Sequence, residues 1–401
     1  MKDSYLTKYQ KIAGDGNSDI TLDPPVFSPE NENELCELVR AVHSDKYKIR
    51  ITGSGTYPVP ESGIDTVTLS TASLSKILEI NADDYLITVQ AGAVVDKAVH
   101  ESEQSGLYLP LDITSGGRST IGGAYMTEAH SPGSAGHGSF GESVIGARCV
   151  TAQGETVTFG GRTAKNVTGY DLTRFLSGTL GMFAIVSELI IKAHTLPEMR
   201  RMAVADFSVL SNILAVVRSK GSVFDHAARA ELTAPSGTGG EIMLGVGFEG
   251  FRAMVKENVN RAGNGMNDAG AEAVHSQGFK QYMNVRKKAA EKIVGPGLYT
   301  ITVPPASSGI FLEKIHFISP EMPVIAHLKT GRFHVKCLDI KQLAGLTESS
   351  AAIGGKHPRE WNYLQTKGLT SVLTDAERSV VKSLKEDMDP AGTFNPHICA
   401  W

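Results

Sequence analysis

Cysteine is scarce in this chain of 401 residues: four occur, Cys36, Cys149, Cys337 and Cys399, far apart and with no C-x-x-C pair. That excludes a disulfide framework and an iron–sulfur cluster bound by this chain alone. No apolar run approaches the ~20 residues that cross a bilayer, so no direct membrane span is expected. The opening stretch "MKDSYLTKYQKIAGDGNSD" has no apolar h-region, which predicts no signal peptide. The expected location is cytoplasmic, with membrane association only through partners. Basic runs are missing too: 39 Lys and Arg stand against 43 Asp and Glu, a net charge of −4, which argues against nucleic acid as a partner. Repeats and low-complexity segments are absent.

What is there is ordinary globular composition, 41% hydrophobic and 20% charged, in a chain long enough for two domains. Glycine is abundant, with 42 residues, and much of it falls between residues 53 and 181. Such density suggests backbone packed close to a ligand. The first half reads as mixed α/β. A helix is expected over "NENELCELVRAVHSD", with Ser28 as N-cap and Pro29 at its first position. "KIRITGSGTY" reads as a strand running into a glycine turn, "TVTLS" and "YLITVQAG" as strands, and "AVVDKAVHESEQSG" as a helix ending at Gly106. "GARCVTAQGETVTFGG" reads as a hairpin turning at Gln153-Gly154. Residues 114–147 read as a long Gly/Ser-rich functional loop. The apolar stretch before Pro197 marks a domain boundary. Beyond it, strands and helices alternate, which predicts an antiparallel sheet covered by helices on one side. "PVIAHLKTGRFHVKCLDI" reads as a hairpin with Lys329-Thr330-Gly331 at its turn.

Three segments can carry chemistry. In "RITGSGTY", a strand followed by G-x-G-T exposes backbone N–H groups that can cradle a diphosphate without charged side chains. In the segment around "GGRSTIGGAY", two Gly-Gly pairs flank Ser119-Thr120-Ile121, and Gly141 follows Phe140. Such a segment can approach a flat ligand closely. The third is "GGRTAKNVTGYDLTRFLSGTLGMFAIVSE".

Taken in order, "GSGT", "STIGG", "FGESVIG", "AQGE", "KNVTGYDL" and "GTLGMFAIVSE" resemble the FAD-binding domain of the vanillyl-alcohol oxidase/p-cresol methylhydroxylase superfamily. The resemblance runs over roughly residues 24–197. Within that superfamily the chain is similar to the flavin subunits of glycolate oxidase, the smaller of the two above all, and to D-lactate dehydrogenase. The resemblance implies an α+β fold: a two-subdomain FAD-binding domain (1–197), a substrate or cap domain with an antiparallel sheet (198–384), and a C-terminal segment (385–401) returning to the FAD domain. It implies that Gly53, Ser54, Gly55, Thr56 and Tyr57 wrap the FAD pyrophosphate. Ser115, Thr120, Gly122, Gly123 and Gly141 would line the cofactor, Ile185 would meet its adenine end, and Asn395 belongs to the closing motif "DPAGTFNP". "TGSGTY" holds no His or Cys nucleophile, so non-covalent FAD is expected.

In the second half, "YMNVRKKAAE" looks like the family helix whose arginine binds the substrate carboxylate, here Arg286; a guanidinium suits a bidentate contact. "HLKTGRFH" falls where metal-dependent relatives carry two histidine ligands, His327 and His334. "IGGKHPREW" falls where they carry a glutamate ligand followed by a catalytic histidine. The glutamate position is Lys356 and the base position His357. Arg332 adds a cation between the histidines, so no metal is expected. Instead Arg286, Arg332 and Lys356 would supply fixed positive charge, and His357 would take a proton.

Two functions follow. One is an FAD-dependent dehydrogenase of a small 2-hydroxy acid such as glycolate or D-lactate. It would form part of a complex with a paralogous flavin subunit and an iron–sulfur subunit that receives the electrons. The other is a non-catalytic or electron-transfer flavin subunit that supports a catalytic paralogue.

Overall fold

The computed structural model describes residues 2–14, 16–56, 65–111, 118–162, 170–218, 223–293, 297–356, 359–360 and 374–399. Tyr57, Ser115, His357 and most of "KNVTGYDL" lie outside them. The chain divides into two compact units, one of residues 1–131, 139–196 and 364–401, the other of residues 132–138 and 197–363. The helix Asp375–Met388 packs Val381, Leu384 and Met388 on the first unit's core.

The first unit holds two main sheets. The smaller has the strand order Ser18–Asp19, Val26–Phe27, Thr66–Ser70, Lys48–Thr52. Its last two strands run parallel, with Ile49 opposite Val67 and Ile51 opposite Leu69. Successive side chains on a strand point to opposite faces, so Ile49, Val67 and Leu69 share one face. That face buries against Leu35, Leu38, Val39 and Val42 of the helix Glu32–Ser44. The cap of this helix is Asn31 rather than Ser28: its side chain accepts from Glu34 N at 3.0 Å, and Glu34 in turn accepts from Glu30 N. Asn is a strong N-cap, and the reciprocal bond satisfies a second donor. The larger sheet is antiparallel, in the order Ile77–Asn81, Leu86–Gln90, Ile185–Lys192, Val144–Val150, Thr156–Gly160. The expected turn of its last hairpin carries Gly154 at φ +75°. The Gly/Ser-rich segment is not an open loop. It winds into the short helices Ile121–Met126, Ser134–His137 and Phe140–Ser143, the first capped by Thr120 and the third by Ser139.

The second unit is built on one antiparallel sheet of eight strands. One face carries Leu232, Leu244, Val246, Val324, Ala326, Phe333 and Val335. It is covered by the helices Leu210–Arg218, Arg252–Asp268, Ser308–Ile318 and Ile340–Ala351. Period-two alternation then sends Arg229, Glu231, His327, Arg332 and His334 to the other face. The helix Phe279–Ile293 crosses that polar face, placing Tyr282 over the strand Ile242–Gly250. A Cβ on Gly245 would meet the Tyr282 ring at 2.6–2.7 Å, and one on Gly247 would meet Arg229 Cγ at 2.5 Å. Gly245 and Gly247 are therefore slots for side chains lying across the sheet.

Gly245→Ala should destabilise the second unit by about 1–3 kcal/mol, since Tyr282 and its backbone are buried and cannot withdraw. Urea unfolding checks this; a midpoint equal to wild type would show that the slot is not tight.

Candidate cofactor and substrate sites

A cleft open to solvent lies in the first unit, walled by the segments around Gly53–Thr56, Thr120–Ala124, Leu180-Gly181 and Asn395. The strand Lys48–Thr52 ends at its edge and turns through Gly53-Ser54-Gly55-Thr56. Gly55 sits at φ +70° with open space where a Cβ would be, so the backbone conformation alone demands glycine there. Gly53 is demanded by crowding instead: a Cβ would lie 2.3 Å from Thr120 Oγ1. On the facing segment a Cβ on Gly122 would lie 2.7 Å from Ala91 Cβ. Thr120 Oγ1 accepts from Gly123 N at 3.2 Å. Ser54 Oγ donates to Arg118 O at 2.5 Å, and Thr56 Oγ1 lies 3.2 Å from Ser119 Oγ. The two motifs thus lock to one another.

Two properties of this wall decide what it can hold. Among the described residues, the N–H groups of Gly53, Ser54, Gly55 and Thr56 donate to no backbone carbonyl. Backbone donors without such a partner call for an acceptor from outside. Also among the described residues, no charged side chain lines the cleft, so an anionic diphosphate would meet amides and hydroxyls. These residues fit FAD. Thr120, Gly122, Gly123, Ile185 and Asn395 all line the cleft with the first glycine turn. Gly141 does not: its place is against Ser177, where a Cβ would come within 2.3 Å of Oγ. That glycine serves the packing of the short helix Phe140–Ser143. Leu180 and Gly181, which the sequence motifs did not single out, also form part of the wall, as consecutive left-handed residues at φ +56° and +73°. The "TLG" run was their signal.

In the second unit the polar sheet face gathers charge around a residue that no sequence motif marks. Glu231 is 1% exposed. Its carboxylate accepts from Tyr282 Oη at 2.9 Å, lies 2.7 Å from Arg286 Nε, and has His327 Nδ1 at 3.0 Å. Glu231, His327 and Arg332 are direct cross-strand neighbours. The rings of His327 and His334 stand edge to face, centroids 5.4 Å apart, and His334 Nδ1 lies 2.9 Å from Thr300 Oγ1. Burial penalises the Glu231 carboxylate, but the Arg286 guanidinium and His327 outweigh it and hold its pKa down at about 2. Burial, together with His327, Arg332 and Arg286, holds His334 well below the usual imidazole value. Lys356 is exposed, its backbone N–H donating to Thr302 O at 2.8 Å.

Arg286, which the resemblance makes the substrate-carboxylate arginine, is paired with Glu231 in the interior. A carboxylate thus stands beside the histidine pair, from the strand Arg229–Ala234 and not from the position of Lys356. Tyr282 and Arg286 donate to it, His327 Nδ1 stands 3.0 Å away, and Arg286 and Arg332 set positive charge beside the histidine pair. Among the described residues no group of His, Cys, Asp and Glu is arranged to hold a metal ion.

The depressed values fix a pH dependence. Below about pH 6.5 the unfolded chain protonates at His334 while the native state resists, so stability falls as pH falls. Glu231 adds a further loss between about pH 4.5 and 2. His334→Asn should flatten the slope of unfolding free energy against pH between 6.5 and 5, by up to about 1.4 kcal/mol per pH unit. Urea midpoints across that range measure it, and an unchanged slope would contradict the burial argument.

The chain has relatives both in sequence and in fold. An FAD binding domain family matches residues 24–160. The glycolate oxidase subunit GlcD of Bacillus subtilis is 32% identical over 184 residues, 45% of this chain and 39% of that protein. The glycolate oxidase subunit GlcE of Escherichia coli is 29% identical over 41% of this chain and 47% of its own length. The chain thus spans less than half the length of either of these two proteins. An uncharacterized FAD-linked oxidoreductase of Mycobacterium tuberculosis is 24% identical over 92% of this chain and 89% of that protein. Among solved structures, an alkyldihydroxyacetonephosphate synthase superposes with a TM-score of 0.69 over 93% of this chain and 76% of its own, at 17% identity, and so shares the fold. No described helix is long and apolar enough to cross a membrane. The chain carries an FAD-binding domain and is related to the FAD-dependent oxidoreductases that include glycolate oxidase subunits and 2-hydroxy-acid dehydrogenases.

Proposed function

We propose that this chain is an FAD-dependent dehydrogenase of small 2-hydroxy acids, of the glycolate or D-lactate type, working as one component of a complex and passing electrons to a partner. The observation that carries the reading is the uncharged glycine and hydroxyl cradle of Gly53–Thr56 and Thr120–Gly123, lying in a domain whose relatives oxidise such acids. FAD, when bound, supplies the hydride acceptor. The chain's own share is to bind the acid and receive its hydroxyl proton. Arg332 and Lys356 provide cationic charge for the carboxylate, with Arg286 compensated by Glu231. His357, beyond the described residues, is the candidate proton acceptor. The few, scattered cysteines mean that electrons leave to a separate acceptor, such as an iron–sulfur subunit.

A second reading has one observation in its favour. Arg286, the family's substrate arginine by position, is locked to Glu231. A chain whose substrate pocket has been converted into a neutral buried network can serve as a flavin subunit beside a catalytic paralogue.

Anaerobic addition of glycolate or D-lactate to the purified chain should bleach its flavin absorbance. A bound flavin that stays oxidised until a partner is added would instead select the second reading. Gly53→Val should weaken FAD binding by at least about ten-fold, because the added side chain must push Thr120 out of the cradle. Fluorescence titration with FAD reads this, and unchanged affinity would rule the cradle out.

A further inference from the structure

The C-terminal motif does more than close the fold. Lys385, at the end of the helix Asp375–Met388, has a side chain only 6% exposed. All three ammonium protons have acceptors: Met182 O at 2.5 Å, Phe394 O at 2.8 Å and Asp389 Oδ2 at 2.7 Å. Asp389 is buried too and accepts from the N–H groups of Thr393 and Phe394, both at 2.8 Å. This pair bends the chain after the helix and sets residues 393–395 against the open edge of the strand Lys48–Thr52. There Ile49 N donates to Thr393 O at 2.7 Å, and Asn395 N donates to Ile49 O at 2.8 Å. Asn395, held at φ +42°, uses both ends of its amide: Oδ1 accepts from Ile51 N at 2.8 Å and Nδ2 donates to Leu180 O at 2.7 Å.

The assembly reaches the cleft wall at several points. Ile51, Leu180, Gly181 and Asn395 line the cavity, and Met182 follows directly. A Cβ on Gly181 would come within 3.1 Å of Asn395 Nδ2. The left-handed turn at Leu180-Gly181 therefore has its carbonyls tied on both sides, by Asn395 before it and Lys385 after it. Neither Lys385 nor Asp389 lines the cleft.

We infer that the buried Lys385–Asp389 pair is a positioning device for the cofactor: through Asn395 it holds the Leu180–Met182 turn in the shape that receives the flavin nucleotide. The inference rests on the FAD reading of the cleft. A buried ion pair is a poor way to gain stability, since replacing both charges by apolar groups is often neutral. Its retention here is explained by what it orients. The four bonds it makes beyond itself fix the segments 180–182 and 393–395, and a rigid second layer of this kind is what keeps a binding wall preorganised.

The test uses the full chain stripped of flavin and titrated with FAD, alongside the thermal midpoint of the flavin-free protein. Lys385→Met with Asp389→Leu leaves four buried backbone groups without partners, so that midpoint should fall; in the protein that stays folded, FAD binding should weaken by about ten-fold or more and the vibrational shoulders of bound flavin should blur. Asn395→Ala should weaken FAD to a similar degree. Combined with the charge-pair replacement it should add little, because both act on the same turn. Should the charge-pair variant not fold, Asn395→Ala, which touches no buried charge, is read the same way. FAD affinity within about two-fold of wild type in a folded variant would overturn the inference, as would fully additive losses. A wild-type chain that takes up no FAD would overturn the cleft reading itself, a result distinct from wild-type uptake with unaffected variants.

Discussion

A cleft wall that offers an anion only amides and hydroxyls, with no charged side chain among the described residues, is the constraint on which the first unit depends. Amides and hydroxyls are weak donors one at a time, so they must be many, converging and fixed. The glycines serve that requirement in two different ways. Gly55 gives the chain a left-handed turn that points consecutive N–H groups outward. Gly53, Gly122 and Gly181 let other segments approach where a methyl group would not fit. Thr120 joins the two loops, capping its own short helix while filling the space above Gly53. Behind that wall the C-terminal tail completes an open sheet edge and ties the Leu180-Gly181 turn.

The second unit solves a different problem. Its sheet has an apolar face packed under helices and a polar face crossed by the helix Phe279–Ile293. The polar face concentrates opposite charges in the interior, with Glu231 at their centre. Burying a lone carboxylate is costly, and Tyr282, Arg286 and His327 offset that cost by donating to it or standing as its counter-charge. Beside the histidine pair the chain places the guanidinium of Arg286, whose charge bears on both imidazoles.

Much of this could be read from the chain itself, and the parts that could not have a common cause. Local signals held: the glycine turn after Thr52, the hairpin at Gly154, the turn at Gly331 with φ +66°, and the helix ending before Gly106. They depend on neighbours within a few residues. The cap at Asn31 was displaced from Ser28 because two good cap residues stood close together and the reciprocal bond with Glu34 decided between them. Glu231 was hidden for another reason. A single acid in "RAELTA" shows no pattern, and its partners Tyr282, Arg286 and His327 come from far along the chain. The i, i+4 spacing of Lys385 and Asp389 carries no sign of their burial, which comes from the tail folding over them. In the same way Gly141 looked like a ligand glycine, and only the packing on Ser177 shows its use.

The central claim is that the uncharged cradle of the first unit binds one FAD without a covalent bond. Its most direct test is the flavin content of the purified chain after saturation with FAD and gel filtration, followed by acid precipitation. The account predicts about one FAD per chain, released entirely into the supernatant. A chain that retains no flavin would contradict it, as would flavin that stays with the precipitated protein.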